Sequence, residues 1–64
     1  MDEMKLTSVK ILKSLYNKFK ISTVDTKMSL QKITNRSLYL YLNDEDFTEK
    51  INSSDQLFIS GSNL

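Results

Sequence analysis

The sequence predicts a small, mainly α-helical domain with one short β-strand near its N-terminus. Residues 6–11 alternate between apolar and polar side chains, whereas residues 13–24 and 30–42 repeat apolar side chains every three or four positions. The 64 residues include no Cys and no His, so one domain without a disulfide or a thiolate metal site is expected. Because a domain of this size buries little surface, we expect association with another chain to stabilise it.

The predicted strand, residues 6–11, is rich in β-branched side chains. Val9 and Ile11 point to one side of it, and Leu6, Ser8 and Lys10 point to the other. No second segment of this kind follows closely, and a single short strand is not stable by itself. Its partner strand is therefore expected to be distant in sequence or on another chain.

Two amphipathic helices are predicted after the strand. Helix A, residues 13–24, has an apolar face with Leu15 and Phe19, and helix B, residues 30–42, has the clearest periodicity in the chain. Ser29 is a good N-cap for helix B. The small and apolar positions of helix B that share one face are Leu30, Ile33, Thr34, Ser37, Leu38 and Tyr41.

Residues 44–64 are predicted to form a short acidic helix followed by a C-terminal arm, after a domain that spans residues 1–43. Asp44 is the predicted N-cap, and acids in the first turn suit the helix dipole. Phe47 and Ile51 lie four residues apart, and the arm carries one apolar triplet, Leu57-Phe58-Ile59. We expect the arm to be mobile or to order on a partner.

Charge is distributed unevenly, although the net charge is only +1. Residues 1–36 contain eight Lys and Arg against three Asp and Glu, a net charge of +5. Residues 37–64 contain one Lys against five acids, a net charge of −4. The asymmetry indicates either an anionic partner for the N-terminal, basic part of the chain or simply two solvated faces of opposite charge.

The order of strand, helix, polar link and capped helix resembles the ribbon-helix-helix family, which includes repressors of the Arc, MetJ and CopG types. The resemblance covers residues 5–42 without insertion. It rests on Thr7-Ser8-Val9-Lys10-Ile11, Leu15-Tyr16, Phe19, residues 28–38 and Tyr41-Leu42. Many members have Asp, Ser or Thr in place of Leu12 and Gly in place of Lys27, and each loss costs about 1 kcal/mol of local stability.

The resemblance implies an intertwined homodimer in which the strands of two chains form an antiparallel two-stranded β-ribbon. The residues expected in the shared core are Val9, Ile11, Leu15, Phe19, Leu30, Ile33, Ser37, Leu38 and Tyr41. Each buried Leu, Ile or Phe would contribute about 1.5–3 kcal/mol. Tyr39 and Tyr41 could also stack on bases, but core packing is favoured for Tyr41.

The same resemblance implies a sequence-specific repressor that binds double-stranded DNA by occupying an operator. The ribbon would enter the major groove, with Leu6, Ser8 and Lys10 facing the bases. The N-terminus of helix B would hold the phosphates. The residues expected to contact phosphate are Lys5, Lys27, Ser29, Leu30, Gln31 and Lys32.

Two other function classes are weighed against the repressor. The first is a protein-interaction module, antitoxin-like or a small assembly component, that acts through the arm residues Phe47, Ile51, Leu57, Phe58 and Ile59. The second is an enzyme, which we do not expect, because no His, Cys or nucleophile–base pair is present and the chain is too short for an ordinary pocket. No cofactor and no metal are expected.

The location expected from the sequence is the cytoplasm of a prokaryotic cell, with a plasmid or phage origin as an option. No apolar run is long enough to span a membrane, and the first residues lack the pattern of a signal peptide.

Overall fold

The structure, a computed structural model, describes residues 2–56 and 59 of the chain. Three α-helices follow one another: α1 spans Lys13–Ser22, α2 spans Leu30–Asn43 and α3 spans Glu45–Ser53. No strand is present in residues 2–56. The chain is therefore all-α over the part that the structure describes.

The predicted strand, and with it the predicted ribbon-helix-helix fold, is wrong. Residues 6–11 have no regular secondary structure, and the side chains of Leu6 and Val9 are 98% and 77% exposed. A strand is held by hydrogen bonds to a neighbouring strand, and no such neighbour exists within the described ranges. Alternation of apolar and polar residues is compatible with a strand, but a segment without a neighbouring strand to bond to does not form one.

Helix α1 begins without a side-chain cap, as the apolar residue before it suggests. Leu12 has φ −55° and ψ 128° and makes no capping hydrogen bond. At the other end, Thr23 closes the helix: its backbone N–H and its Oγ1 both donate to the carbonyl of Phe19, at 3.1 and 2.8 Å. The helix thus ends at Ser22, two residues before the predicted end.

Helices α2 and α3 meet at a corner centred on Asp44, which is the N-cap of α3 as predicted. Its Oδ1 accepts hydrogen bonds from the backbone N–H groups of Asp46 and Phe47, at 3.0 and 3.2 Å. Thr48 Oγ1 donates a hydrogen bond to the carbonyl of Tyr41. This carbonyl is one of the last four of α2, which accept no hydrogen bond from within the helix. The hydroxyl of Tyr41 donates to Asn52 Oδ1 at 2.8 Å, so side chains tie α3 to α2 at two places.

The predicted core is not formed within one chain, and no described residue is buried. Phe19 and Ser37 are half-buried, and the other seven residues of the predicted core are exposed: Val9, Ile11, Leu15, Leu30, Ile33, Leu38 and Tyr41. Helices α2 and α3 pack on each other, but no Cα of α1 lies within 8 Å of a Cα of either. The radius of gyration is 13.2 Å, against about 10.7 Å for a compact domain of this length. A single chain is therefore open, with its apolar faces in water.

Candidate nucleic-acid interface

The N-terminus of α2 is a capped helix end in the basic half of the chain. Ser29 has extended backbone angles, φ −130° and ψ 164°, and its Oγ accepts the N–H of Lys32 at 3.1 Å. The first backbone bond of the helix runs from the N–H of Ile33 to the carbonyl of Ser29, at 3.0 Å. This confirms the predicted N-cap and leaves the N–H groups of Leu30 and Gln31 pointing out of the helix end.

Positive charge lies at the same helix end. The ammonium of Lys32 turns back and donates to the carbonyl of Lys27 at 2.8 Å, so it lies against the loop that precedes the helix. Both lysines are exposed, and α2 has no acid in its first turn. Outward N–H groups, the positive end of the helix dipole and ammonium groups together favour an anion.

The polar face of α2 continues this charge along the helix. At 100° per residue, Lys32, Asn35, Arg36, Tyr39 and Asn43 lie on one side, opposite the apolar positions, and all five are exposed. Residues 30–43 contain no Asp or Glu. The amide of Asn35 donates to the carbonyl of Gln31 at 2.9 Å, which fixes its orientation on the helix surface.

Two shallow depressions lie on α2. The first, of about 380 Å³, is lined by Asn35, Arg36, Tyr39 and Leu40. The second, of about 470 Å³, lies at the α2–α3 corner and is lined by Tyr39, Leu40, Asn43, Asp44, Glu45 and Asp46. The charge of the surface thus changes from positive at the N-terminal end of α2 to negative at the α2–α3 corner.

The residues predicted to contact bases lack the platform that the prediction gave them. Leu6, Ser8 and Lys10 are exposed on an irregular segment, so no pleat directs them to one side. Lys5 is exposed on the same irregular segment. Of the predicted phosphate contacts, those at residues 27–32 do lie together, around the first turn of α2.

The predicted arm is described only in part. Phe47 is half-buried on α3, while Ile51 on the same helix is 49% exposed and Ile59 is 43% exposed. Leu57 and Phe58 lie outside the described residues. The apolar surface predicted to bind a partner is therefore accessible at Ile51 and Ile59.

Reasoning from the sequence missed the polar face of α2. Its signal is the spacing of Lys32, Arg36, Tyr39 and Asn43 at i, i+4, i+7 and i+11, the same period that identified the apolar face.

The chain matches no protein-family model, no curated protein and no solved structure. The ribbon-helix-helix resemblance stays a prediction from sequence, while the fold that it implies is contradicted by the three-helix structure. None of the described helices is long and apolar enough to cross a membrane. Within residues 2–56 and 59, no three acidic side chains come together in a way that could hold a metal ion.

Proposed function

We propose that the chain is a double-stranded DNA-binding transcriptional regulator that uses α2 to contact DNA. The observation that carries the proposal is the acid-free polar face of α2, exposed from the capped N-terminus to Tyr39. The helix has 14 residues and is about 21 Å long, and the major groove of B-DNA admits a helix. In this proposal α2 replaces the ribbon that the sequence predicted.

Each part of α2 would have a separate role on DNA. The N–H groups of Leu30 and Gln31, with Lys27 and Lys32, would hold a phosphate at the helix end. Arg36 suits the O6 and N7 atoms of guanine, and Asn35 suits the N6 and N7 atoms of adenine. Asn35 would exchange its hydrogen bond to Gln31 for one to a base, at little cost because both groups are exposed.

The charge distribution would set the orientation of the complex. The basic residues 1–36 would be drawn to the phosphates, and the acids at the α2–α3 corner would be held away from them. Lys5 and Lys10, on the exposed N-terminal segment, would add further phosphate contacts. Binding to an operator would block transcription by occupancy, without catalysis.

Binding to labelled duplex DNA, measured by fluorescence anisotropy over a series of salt concentrations, tests the proposal. We expect the logarithm of the binding constant to fall linearly with the logarithm of salt concentration. Lys32→Ala should reduce that slope by about 0.9, the value for one phosphate contact. Lys50→Ala is the matched control, because it removes the same charge from the exposed surface of α3.

Recognition of specific bases by α2 is tested by selecting the preferred binding site of the chain from a randomised duplex library. Arg36→Ala should cost about 1–3 kcal/mol on the selected site and should relax the preference at one base pair. The proposal is wrong if the parent chain does not bind duplex DNA at about 50 mM salt, or if its binding does not weaken as the salt concentration rises. It is equally wrong if Lys50→Ala weakens binding as much as Lys32→Ala does.

A protein-interaction module is the second candidate, favoured by the exposure of Ile51 and Ile59 in the acidic half of the chain. Such a module would bury these side chains against a protein partner while the acids remain around the contact. Loss of DNA binding in every assay above, together with partner capture that Ile51→Ser abolishes, would favour this candidate over the regulator.

A further inference from the structure

Helix α1 is an amphipathic helix on which neither α2 nor α3 packs. Leu15, Tyr16 and Phe19 share one face at 100° per residue; Leu15 and Tyr16 are exposed and Phe19 is half-buried. No Cα of this helix lies within 8 Å of α2 or α3. An apolar helix face of this kind is stable only when something covers it.

Lysines border the apolar face of α1 on both sides. Lys18 and Lys20 each lie about 100° from its centre, and the helix contains no acid. The ammonium of Lys20 lies 6.0 Å from the ring centroid of Tyr16, so charge and apolar surface are adjacent. The surface that covers α1 should therefore be apolar with an acidic border.

The α2–α3 corner has that composition. Its depression of about 470 Å³ combines Tyr39 and Leu40 with the carboxylates of Asp44, Glu45 and Asp46. Asp44 caps α3 and so holds the next two acids at the helix N-terminus, on the rim of the depression. The corner thus complements α1 in both polarity and charge.

A single chain leaves more surface in water than a compact domain of its mass. It exposes 6357 Å², whereas a compact monomer would expose about 4,200 Å². The exposed apolar side chains on α1 and α2 contribute to this difference, and a partner chain would cover part of it. With no Cys and no His in the sequence, neither a disulfide nor a histidine metal site can stabilise the chain in place of a partner.

We propose that the partner is a second copy of this chain, with α1 of each copy docked in the α2–α3 corner of the other. The two contacts are equivalent under a two-fold axis, so each chain both gives and receives a helix. The contact involves no β-ribbon. It goes beyond DNA binding and does not depend on it. The corner shares Tyr39 with the polar face of α2, but its lining includes neither Lys32 nor Arg36.

Charge reversal on each side of the contact tests the dimer by sedimentation of the full chain without DNA. The parent should sediment as a dimer of twice its 7.4 kDa mass. Lys18→Glu with Lys20→Glu, or Glu45→Lys with Asp46→Lys, should each raise the dimer dissociation constant about tenfold or more, because like charges then meet at both contacts. A 1:1 mixture of the two variants should restore the dimer, since one contact is then of parent type and the other has both charges reversed.

A matched control changes the same charge elsewhere. Lys5→Glu with Lys10→Glu alters the N-terminal segment by the same amount and should leave dimerisation unchanged. A parent chain that sediments as a monomer at about 100 μM, well above the dissociation constant of most stable dimers, overturns the proposal. So does a mixture of the two charge-reversed variants that stays monomeric while both variants keep the helical circular dichroism of the parent.

Carbodiimide cross-linking of the parent chain keeps the test decisive if either variant loses its helices. In an equal mixture of ¹⁴N- and ¹⁵N-labelled protein, peptides that join Lys18 or Lys20 to Glu45 or Asp46 should carry one label of each kind in about half of the cases, as random pairing of two chains requires. If every one of these cross-linked peptides carries a single label, α1 folds onto its own chain and the dimer is refuted.

Discussion

Removal of the Asp44 side chain is predicted to loosen α3 without affecting the start of α2. In the structure, Asp44 Oδ1 accepts two backbone N–H groups, those of Asp46 and Phe47, at 3.0 and 3.2 Å. Replacement of a capping Asp by Ala costs about 0.5–2 kcal/mol, with 1 kcal/mol as the typical value. The negative charge of Asp44 at the positive end of the helix dipole adds a further contribution of about 0.3–1 kcal/mol.

The assay is amide hydrogen exchange, read residue by residue by NMR. A loss of about 1 kcal/mol corresponds to roughly a fivefold faster exchange, so the amides of Asp46 and Phe47 should exchange about five times faster or more in Asp44→Ala. Asp44→Asn is the control, because an amide oxygen still caps the helix and only the charge is lost. If exchange is unchanged in Asp44→Ala, or if Asn and Ala are equally damaging, the capping bonds described here do not stabilise α3.

Three further predictions concern the other parts of the chain. Ser29→Ala should cost about 1 kcal/mol and speed exchange at the amide of Lys32, whereas Ser29→Asp should not; equal exchange in both would contradict the capping role of Ser29. Tyr41→Phe should reduce stability towards urea by about 0.5–1 kcal/mol, because it removes the bond to Asn52 from an exposed site, and an unchanged midpoint would mean that this bond does not hold the corner. Leu6→Ser should change the unfolding free energy by less than about 0.5 kcal/mol, since the side chain is 98% exposed, and a larger loss by thermal denaturation would show that residue 6 is covered in solution.

The helices and their caps could be predicted from the sequence to within one or two residues. Helix α2 begins at Leu30 as predicted and ends at Asn43, one residue beyond the predicted end. Ser29 and Asp44 cap the helices that they were expected to cap. Their hydrogen bonds reach only two or three residues along the chain, so a short stretch of sequence contains both partners.

The candidate site was predicted only in part. The N-terminal end of α2, which we propose holds phosphate, depends on a local cap and on lysines close in sequence, and its residues do lie together around the first turn. The base contacts assigned to Leu6, Ser8 and Lys10 required a strand, whose hydrogen bonds must come from a distant segment or another chain. Whether that segment is present cannot be judged from residues 6–11 themselves.

The sequence by itself determined the helix boundaries to within about two residues, the caps Ser29 and Asp44, and how charge is divided between the two halves of the chain. Each of these properties depends on neighbours within one or two helical turns. Only the tertiary structure decided that residues 6–11 form no strand, that Thr48 and Tyr41 join α3 to α2, and that α1 packs on neither α2 nor α3. These features depend on which distant surfaces meet, and that is settled by packing and hydrogen bonds between segments that periodicity alone does not pair.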